Sequence, residues 1–169
     1  MKKRLKEFKH MQAFANSYEP EHIEWARICN QPGDPFEGMK LDYEYSLLGY
    51  DLAAGKLDMM MRFSPEGGYC EPHSHVAATT LFILQGEQHL KEQLPDGGEK
   101  TIVRKAGEYA ITGRDALPHL ETGGPEGAVI MLSMQTGTGV LFEAFDPQFN
   151  KLFDFTIEDM VARWENRHP

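Results

Sequence analysis

The sequence predicts an all-β domain, a sandwich or barrel with one short helix at its C-terminal end. Three observations carry this reading. From about residue 39 onward, eleven short segments place apolar residues at alternate positions, turns rich in glycine, proline and aspartate separate them, and a single apolar stripe at helical spacing closes the chain. With 169 residues and 41% hydrophobic content, the chain can bury roughly 70% of its unfolded surface as one domain. Cys29 and Cys70 are too few for a disulfide framework, so packing alone must hold the fold.

Taken in order, residues 1–38 form an N-terminal extension. Leu5, Phe8, Met11 and Phe14, spaced by three, predict a short helix ending before Pro20. The cluster Gln31-Pro32-Gly33-Asp34-Pro35 makes the rest of this extension irregular. Residues 39–146 form the barrel, with strands expected at 40–45, 47–52, 56–63, 71–75, 79–84 and 87–94 in its first part. Strands at 100–104, 109–112, 119–122, 128–134 and 140–145 complete it. Ala54-Gly55, Pro95-Asp96-Gly97-Gly98 and Gly123-Gly124-Pro125-Glu126-Gly127 are the hairpin signals between strands. Residues 147–169 form a helical tail. Thr156 and Asp159 make a capping box there, and Ile157, Met160, Val161 and Trp164 form a stripe that packs on the barrel.

A net charge of −9 argues against nucleic acid as a partner, because neutralising phosphates needs a basic face. The basic start Met1-Lys2-Lys3-Arg4-Leu5-Lys6 leads into Glu7, Lys9, His10 and Gln12 rather than an apolar core, so it does not read as a signal peptide. No run approaches the roughly 18 apolar residues of a membrane span. The expectation is a soluble cytoplasmic protein with no membrane partner.

Chemistry concentrates in Gly67-Gly68-Tyr69-Cys70-Glu71-Pro72-His73-Ser74-His75, followed eleven residues later by Gly86. A strand turns alternate side chains to one face, so His73 and His75 point the same way, about 6.5 Å apart along the chain. Two imidazoles at that separation can converge on one cation about 2 Å from each nitrogen. His119 lies 44 residues beyond His75, after a second glycine-marked turn at Gly107 and Gly113. Glu71 and Glu121 share the parity of the histidines beside them and are candidates for a fourth ligand or an outer-shell partner, as is His89. Thr79, Phe82, Leu84, Met134 and Phe142 are assigned to a substrate pocket. His10, His22 and His168 read as surface histidines, Cys70 as a small core residue, and Arg62 and Arg114 as surface ion-pair partners. Met59, Met60, Met61 and Met131 read as core filling.

Gly67, His73-Ser74-His75 and Gly86 resemble the first signature motif of the cupins, and Gly107-Glu108-Tyr109-Ala110 leading to Pro118-His119 resembles the second. The resemblance covers roughly residues 40–145 and implies a single-domain jelly-roll barrel with His73, His75 and His119 as metal ligands. His119 falls one residue later than the usual spacing from Gly107, and Gly113-Arg114-Asp115 stands where the family has Pro-x-Gly. Common cupins also carry a glutamate ligand four or five residues after the second histidine, where this chain has Thr79 and Thr80. In this it resembles the three-histidine subset that includes the β-diketone-cleaving and 2,4'-dihydroxyacetophenone dioxygenases. Carboxylate-free relatives also occur among metal-binding anti-sigma factor domains.

Three neutral imidazoles leave a divalent cation at +2, whereas two imidazoles and a carboxylate leave +1. The larger charge favours a chelating enolate or phenolate. The resemblance therefore implies a non-haem Fe(II) dioxygenase that cleaves a C–C bond beside a carbonyl in a small diketone or hydroxyketone. Its partners are then that small molecule and dioxygen, and a homodimer or larger assembly is expected. Two alternatives stay open: a zinc-binding cupin acting as sensor or ligand-binding protein, and an oxygen-independent metal-dependent isomerase or hydrolase.

Overall fold

The computed structural model describes residues 23–114 and 116–167. The helix expected from Leu5 to Phe14, together with His10, His22 and His168, lies outside them. The described elements are β1 (Ala26–Cys29), β2 (Asp42–Asp51), β3 (Lys56–Phe63), β4 (His73–His75), β5 (Ala78–Gln93), β6 (Glu99–Lys105), β7 (Tyr109–Thr112), β8 (His119–Gln135), β9 (Val140–Phe145), β10 (Lys151–Thr156) and the helix α1 (Ile157–Glu165). The all-β expectation with one C-terminal helix holds. Strands β3, β7 and β9 coincide with their predicted ranges.

The ten strands form one curled sheet in the order β1-β2-β3-β8-β4-β9-β10, with β5 hydrogen-bonded to β6, β7 and β8. Two long strands make the curl. β8 pairs with β3 through Ala128–Gln135 and with β4 at His119, while β5 follows it along both halves. Each had been expected as two strands. The glycine-rich run 123–127, expected as a hairpin, is instead an interruption within β8 where the register against β5 jumps from Gly123–Gln88 to Ala128–Gly86. Close approach explains the glycines there. A Cβ on Gly86 (φ 68°) would lie 2.1 Å from the Gly127 carbonyl oxygen, and one on Gly127 (φ 77°) would lie 2.3 Å from that of Phe63. Such contacts are available only to residues without side chains, and they let two bent strands cross.

The sheet also reaches further than the alternating pattern indicated. β1 lies in the segment read as irregular and pairs with β2, and β10 lies in the tail and pairs with β9. The expected strands at 40–45 and 47–52 are the single strand β2, with a register shift between Leu47 and Gly49. Inward-facing side chains fill the barrel: Tyr45, Leu57, Met59, Ile83, Ile130 and Leu141 are each at most 2% exposed. Met60 and Met134 are fully buried, as expected of core methionines. Arg62 pairs with Glu44 and stacks 4.3 Å over the Trp25 ring, and Arg114 is exposed.

α1 docks on this barrel as the stripe predicts. Thr156 caps it, accepting from the Asp159 amide while the Asp159 carboxylate accepts from the Thr156 amide. Ile157, Met160 and Trp164 are buried, and Trp164 meets Tyr45 edge-on at 5.6 Å. No helix among the described residues is long and apolar enough to cross a membrane.

Candidate metal centre

The Gly67-Gly68 pair delivers the histidine strand. Gly68 (φ 132°) passes so close to β2 that a Cβ would lie 2.6 Å from Asp42, and the chain then bonds to β2 through Tyr69 and the Lys40 and Asp42 backbone. The Pro72 carbonyl accepts from the Phe145 amide, which seats β4 between β8 and β9. His73 is thereby paired across to His119 and to Ala144, and His75 to Phe142. Strand parity brings His75 to the face of His73, and cross-strand pairing brings His119 to it.

The three rings meet. Centroids are 4.4 Å apart for His73–His119, 5.1 Å for His73–His75 and 5.4 Å for His75–His119, and one nitrogen from each ring lies within 4.8 Å of the others. Which nitrogen is available follows from the hydrogen bonds. His73 Nδ1 lies 2.8 Å from the Glu71 carbonyl oxygen, and His119 Nδ1 lies 2.9 Å from that of Leu117. Carbonyls only accept, so both Nδ1 atoms carry the proton. His75 Nδ1 lies 2.8 Å from Thr79 Oγ1, whose own hydroxyl proton goes to the Ala77 carbonyl. Thr79 must therefore accept from His75 as well. All three rings are held as the tautomer whose Nε2 bears a lone pair.

Burial keeps the His75 and His119 rings neutral. It pushes His75 well below the ordinary imidazole value, helped by His73, His119 and Arg104, and it pushes His119 down to about 3. His119 Nε2 is buried and has no hydrogen-bond partner. An orphaned lone pair is costly in an apolar interior, and the two imidazole nitrogens grouped with it offer it no donor. A divalent cation fits this donor set, and no proton-bearing group among the three does.

A second cluster, Cys70, His73 and Glu121, lies behind the first. Cys70 Sγ is 3.7 Å from His73 Nδ1, the nitrogen already committed to Glu71. Burial, with Glu121 and Glu71 nearby, pushes the Cys70 thiol well above its usual range, so it stays a thiol rather than a thiolate ligand. This cluster lacks the donors that the first one has. Cys70 is nonetheless a buried core residue, as expected.

The remaining candidates separate clearly. Glu71 supplies its backbone carbonyl to His73, but its carboxylate turns away to Tyr43 (2.7 Å) and Arg163 (3.2 Å). Glu121, 2% exposed, accepts from Gln88, which Arg104 holds in turn, and faces the Cys70 sulfur at 3.8 Å. His89 pairs with Glu87 at 2.9 Å and is in neither cluster. Of the assigned pocket residues, Thr79 orients His75, and Phe142 stands edge-on to His73 and His75 at 5.1 Å each. Phe82 is 39% exposed, because Leu81 and Ile83 take the inward parity of β5; Phe82 and Leu84 are absent from the cavity wall. Met134 is core and is absent from it too.

That wall lines a pocket of about 60 Å³ that opens to solvent and is reached by His73 at one side. Met59, Met61, Leu132 and Phe142 make it apolar, and Phe155 and Met160 close it from the C-terminal side. Tyr43, Glu71 and Arg163 form one interlinked polar corner of it, and Cys70, His73 and Glu121 form another. Burial first, and Glu71 second, hold the Tyr43 hydroxyl far above its usual value, so it remains the donor to Glu71. Tyr43 and Arg163 were not found from sequence.

The orienting bonds can be tested directly. Thr79→Val keeps the shape but leaves the His75 Nδ1–H buried without an acceptor. Metal affinity, measured by titrating the metal-free protein with Co(II), is expected to fall about 10- to 100-fold.

No family model matches the sequence, and no curated protein matches it. Solved structures do. An acetylacetone dioxygenase from Acinetobacter johnsonii superposes with a TM-score of 0.62 at 12% identity, over 90% of this chain and 91% of that one. An RmlC-like cupin protein from Ralstonia eutropha gives 0.59 at 12% identity, over 89% and 85%. A candidate acetylacetone dioxygenase from Methylibium petroleiphilum gives 0.55 at 15% identity, over 88% and 94%. At such identities the likeness establishes the fold. The chain has the cupin fold, with three histidines grouped inside the barrel.

Proposed function

We propose that this protein is a non-haem Fe(II)-dependent dioxygenase that cleaves a C–C bond beside a carbonyl in a small diketone or hydroxyketone. The observation that carries the reading is the set of three Nε2 lone pairs, each fixed by an acceptor at Nδ1. The fold likeness to an acetylacetone dioxygenase supports it. His73, His75 and His119 would hold the metal. Bound there, such a cation would supply the Lewis-acid charge that favours the enolate form of the substrate.

The protein's own residues do the rest. Phe142, edge-on to two of the imidazoles, and the wall of Met59, Met61 and Leu132 exclude water and present an apolar surface to the substrate's carbon ends. Proton removal from the carbon between the carbonyls needs a base at the cavity. Glu71 has both carboxylate oxygens committed, to Tyr43 and to Arg163. Glu121 reaches the cavity wall with Oε1 held by Gln88, and its Oε2 faces only the weak S–H donor of Cys70. Glu121 Oε2 is thus the assigned proton acceptor. Each turnover takes up one dioxygen, and the two fragments together have the formula of substrate plus O2.

The experiment is metal analysis of protein purified without chelator, then oxygen uptake with acetylacetone and 2,4'-dihydroxyacetophenone. Iron with one O2 consumed per substrate cleaved is the expected result. Zinc with no oxygen uptake would overturn it in favour of a sensor or binding protein, and turnover under anaerobic conditions in favour of an isomerase or hydrolase.

A further inference from the structure

We propose that two copies of this chain associate edge to edge through β7, in an antiparallel pairing centred on Ile111. Strand β7 closes one side of the sheet: it pairs with β5, and its other edge meets no strand among the described residues. Its outer face is bare as well. Tyr109 and Ile111 are 61% and 66% exposed, and they extend an apolar surface that begins at Phe82, the cross-strand neighbour of Tyr109. The other edges of the sheet are defended against such association. β1 carries Arg27, β6 carries Lys100 and Lys105, and β10 carries Lys151 and Asp154, and charge on an edge strand opposes pairing with another chain. β7, Tyr109-Ala110-Ile111-Thr112, has no charge, no proline and no register shift against β5. An edge this apolar and undefended is one that a partner strand covers.

The partner is a second copy because the edge complements itself. The Ile83 amide bonds the Glu108 carbonyl at 3.0 Å, which points the Glu108 backbone at β5. Backbone groups alternate along an antiparallel strand, so Ala110 and Thr112 also face β5, while Tyr109 and Ile111 direct their N–H and C=O to the open edge. A two-fold axis at Ile111 uses those groups. Ile111 exchanges both bonds with Ile111 of the second copy, and Tyr109 does the same with Gly113 of the second copy. The tyrosine ring then lies beside a residue with no side chain to compete for its place. The same register sets Glu108 of each copy opposite Arg114 of the other, an opposite-charge pair at both ends of the interface. Neither residue makes an ion pair among the described residues. Glu108 Oε2 accepts from the Lys105 amide, which leaves Oε1 for the arginine. An axis at Tyr109 would keep the backbone bonds but set Glu108 opposite Ala110, so the charges choose Ile111.

Sedimentation equilibrium of the full chain tests the pairing and needs no activity. An interface built on one short strand falls below about 1,200 Å², so the wild type is expected as a dimer that dissociates on dilution. Ile111→Lys sets like charges against each other at the axis and should weaken association about ten-fold or more. The side chain it replaces is exposed, so circular dichroism and metal content should stay as in the wild type. Glu108→Arg and Arg114→Glu should each weaken association about three- to ten-fold, because each turns both attractive pairs repulsive. Mixing these two variants should restore it to within about three-fold, since every facing pair in the mixed dimer is again of opposite sign. A wild type that stays a single chain at every concentration overturns the proposal, and slow amide exchange at Tyr109 and Ile111 in that monomer would put residues 1–22 of the same chain on the edge instead. A dimer indifferent to Ile111→Lys overturns it too, as does a mixture no tighter than either charge variant alone.

Discussion

His119→Ala is expected to abolish stoichiometric metal binding while leaving a folded barrel. The argument is one of counting donors. His119 comes to the site from β8, whereas His73 and His75 come together on β4, so its loss leaves two lone pairs on one short strand. Apparent binding energies of about 10–16 kcal/mol for four-ligand zinc sites correspond to roughly 2.5–4 kcal/mol per ligand. Losing one of three ligands should therefore weaken binding by about two to three orders of magnitude, enough to strip iron during purification. The fold should tolerate the change, because removing a buried imbalance of lone pairs offsets part of the cavity left behind. Metal content per chain, with circular dichroism as the folding control, checks this. Retention of full occupancy in His119→Ala would mean that the third ligand is another residue, and Glu121 is the nearest alternative, lying beside His73 in the second cluster.

His73 and His75 were legible in the sequence because everything that aims them is local. A glycine pair sets the turn, a three-residue strand sets the parity, and both are written within nine consecutive residues. His119 needed the second motif, since only the fold places it opposite His73. Tyr43 and Arg163 had no such signal. They reach Glu71 from 28 and 92 residues away, and nothing in the pattern of β2 or α1 marks one tyrosine or one arginine as facing a cavity. The reason Phe82 was misassigned is similar. The run Thr80-Leu81-Phe82-Ile83-Leu84 is apolar on both faces, so alternation does not reveal which face is inside; cross-strand pairing of Phe82 with Tyr109 decides it.

Strand β10 and the interruption in β8 escape the sequence pattern for two different physical reasons. β10 is exposed over four of its six residues and exists because β9 offers it an edge, so its sequence carries no buried face to read. The glycines at 123–127 look like a hairpin because hairpins and close backbone crossings make the same demand for residues without Cβ atoms. Here the crossing with Phe63 and Gly86 is what requires them.

Metal-free protein is expected to lose stability steeply as the pH falls from 7 to 5, and metal-loaded protein to lose much less over the same range. The sign follows from His119. Its native value is pushed down to about 3 from an ordinary 6.5, so between these values the unfolded chain binds a proton that the native chain does not. Stability is therefore flat above about pH 6.5, falls as the pH is lowered through the interval, and levels near 3. From pH 7 to 5 this group alone contributes a loss of about 2 kcal/mol, and His75, shifted the same way by burial, adds to it. A cation on the Nε2 atoms occupies the very lone pairs that would take up the protons, so bound metal and low pH act against each other. Urea unfolding of chelator-treated protein at pH 7 and 5 measures the effect. His119→Gln, which cannot titrate, should make the dependence shallower and leave the share that His75 contributes. Equal stability of the metal-free wild type at both values would show that the rings are solvated or already charged, and with that the buried trio of lone pairs, on which the metal centre depends, would be gone.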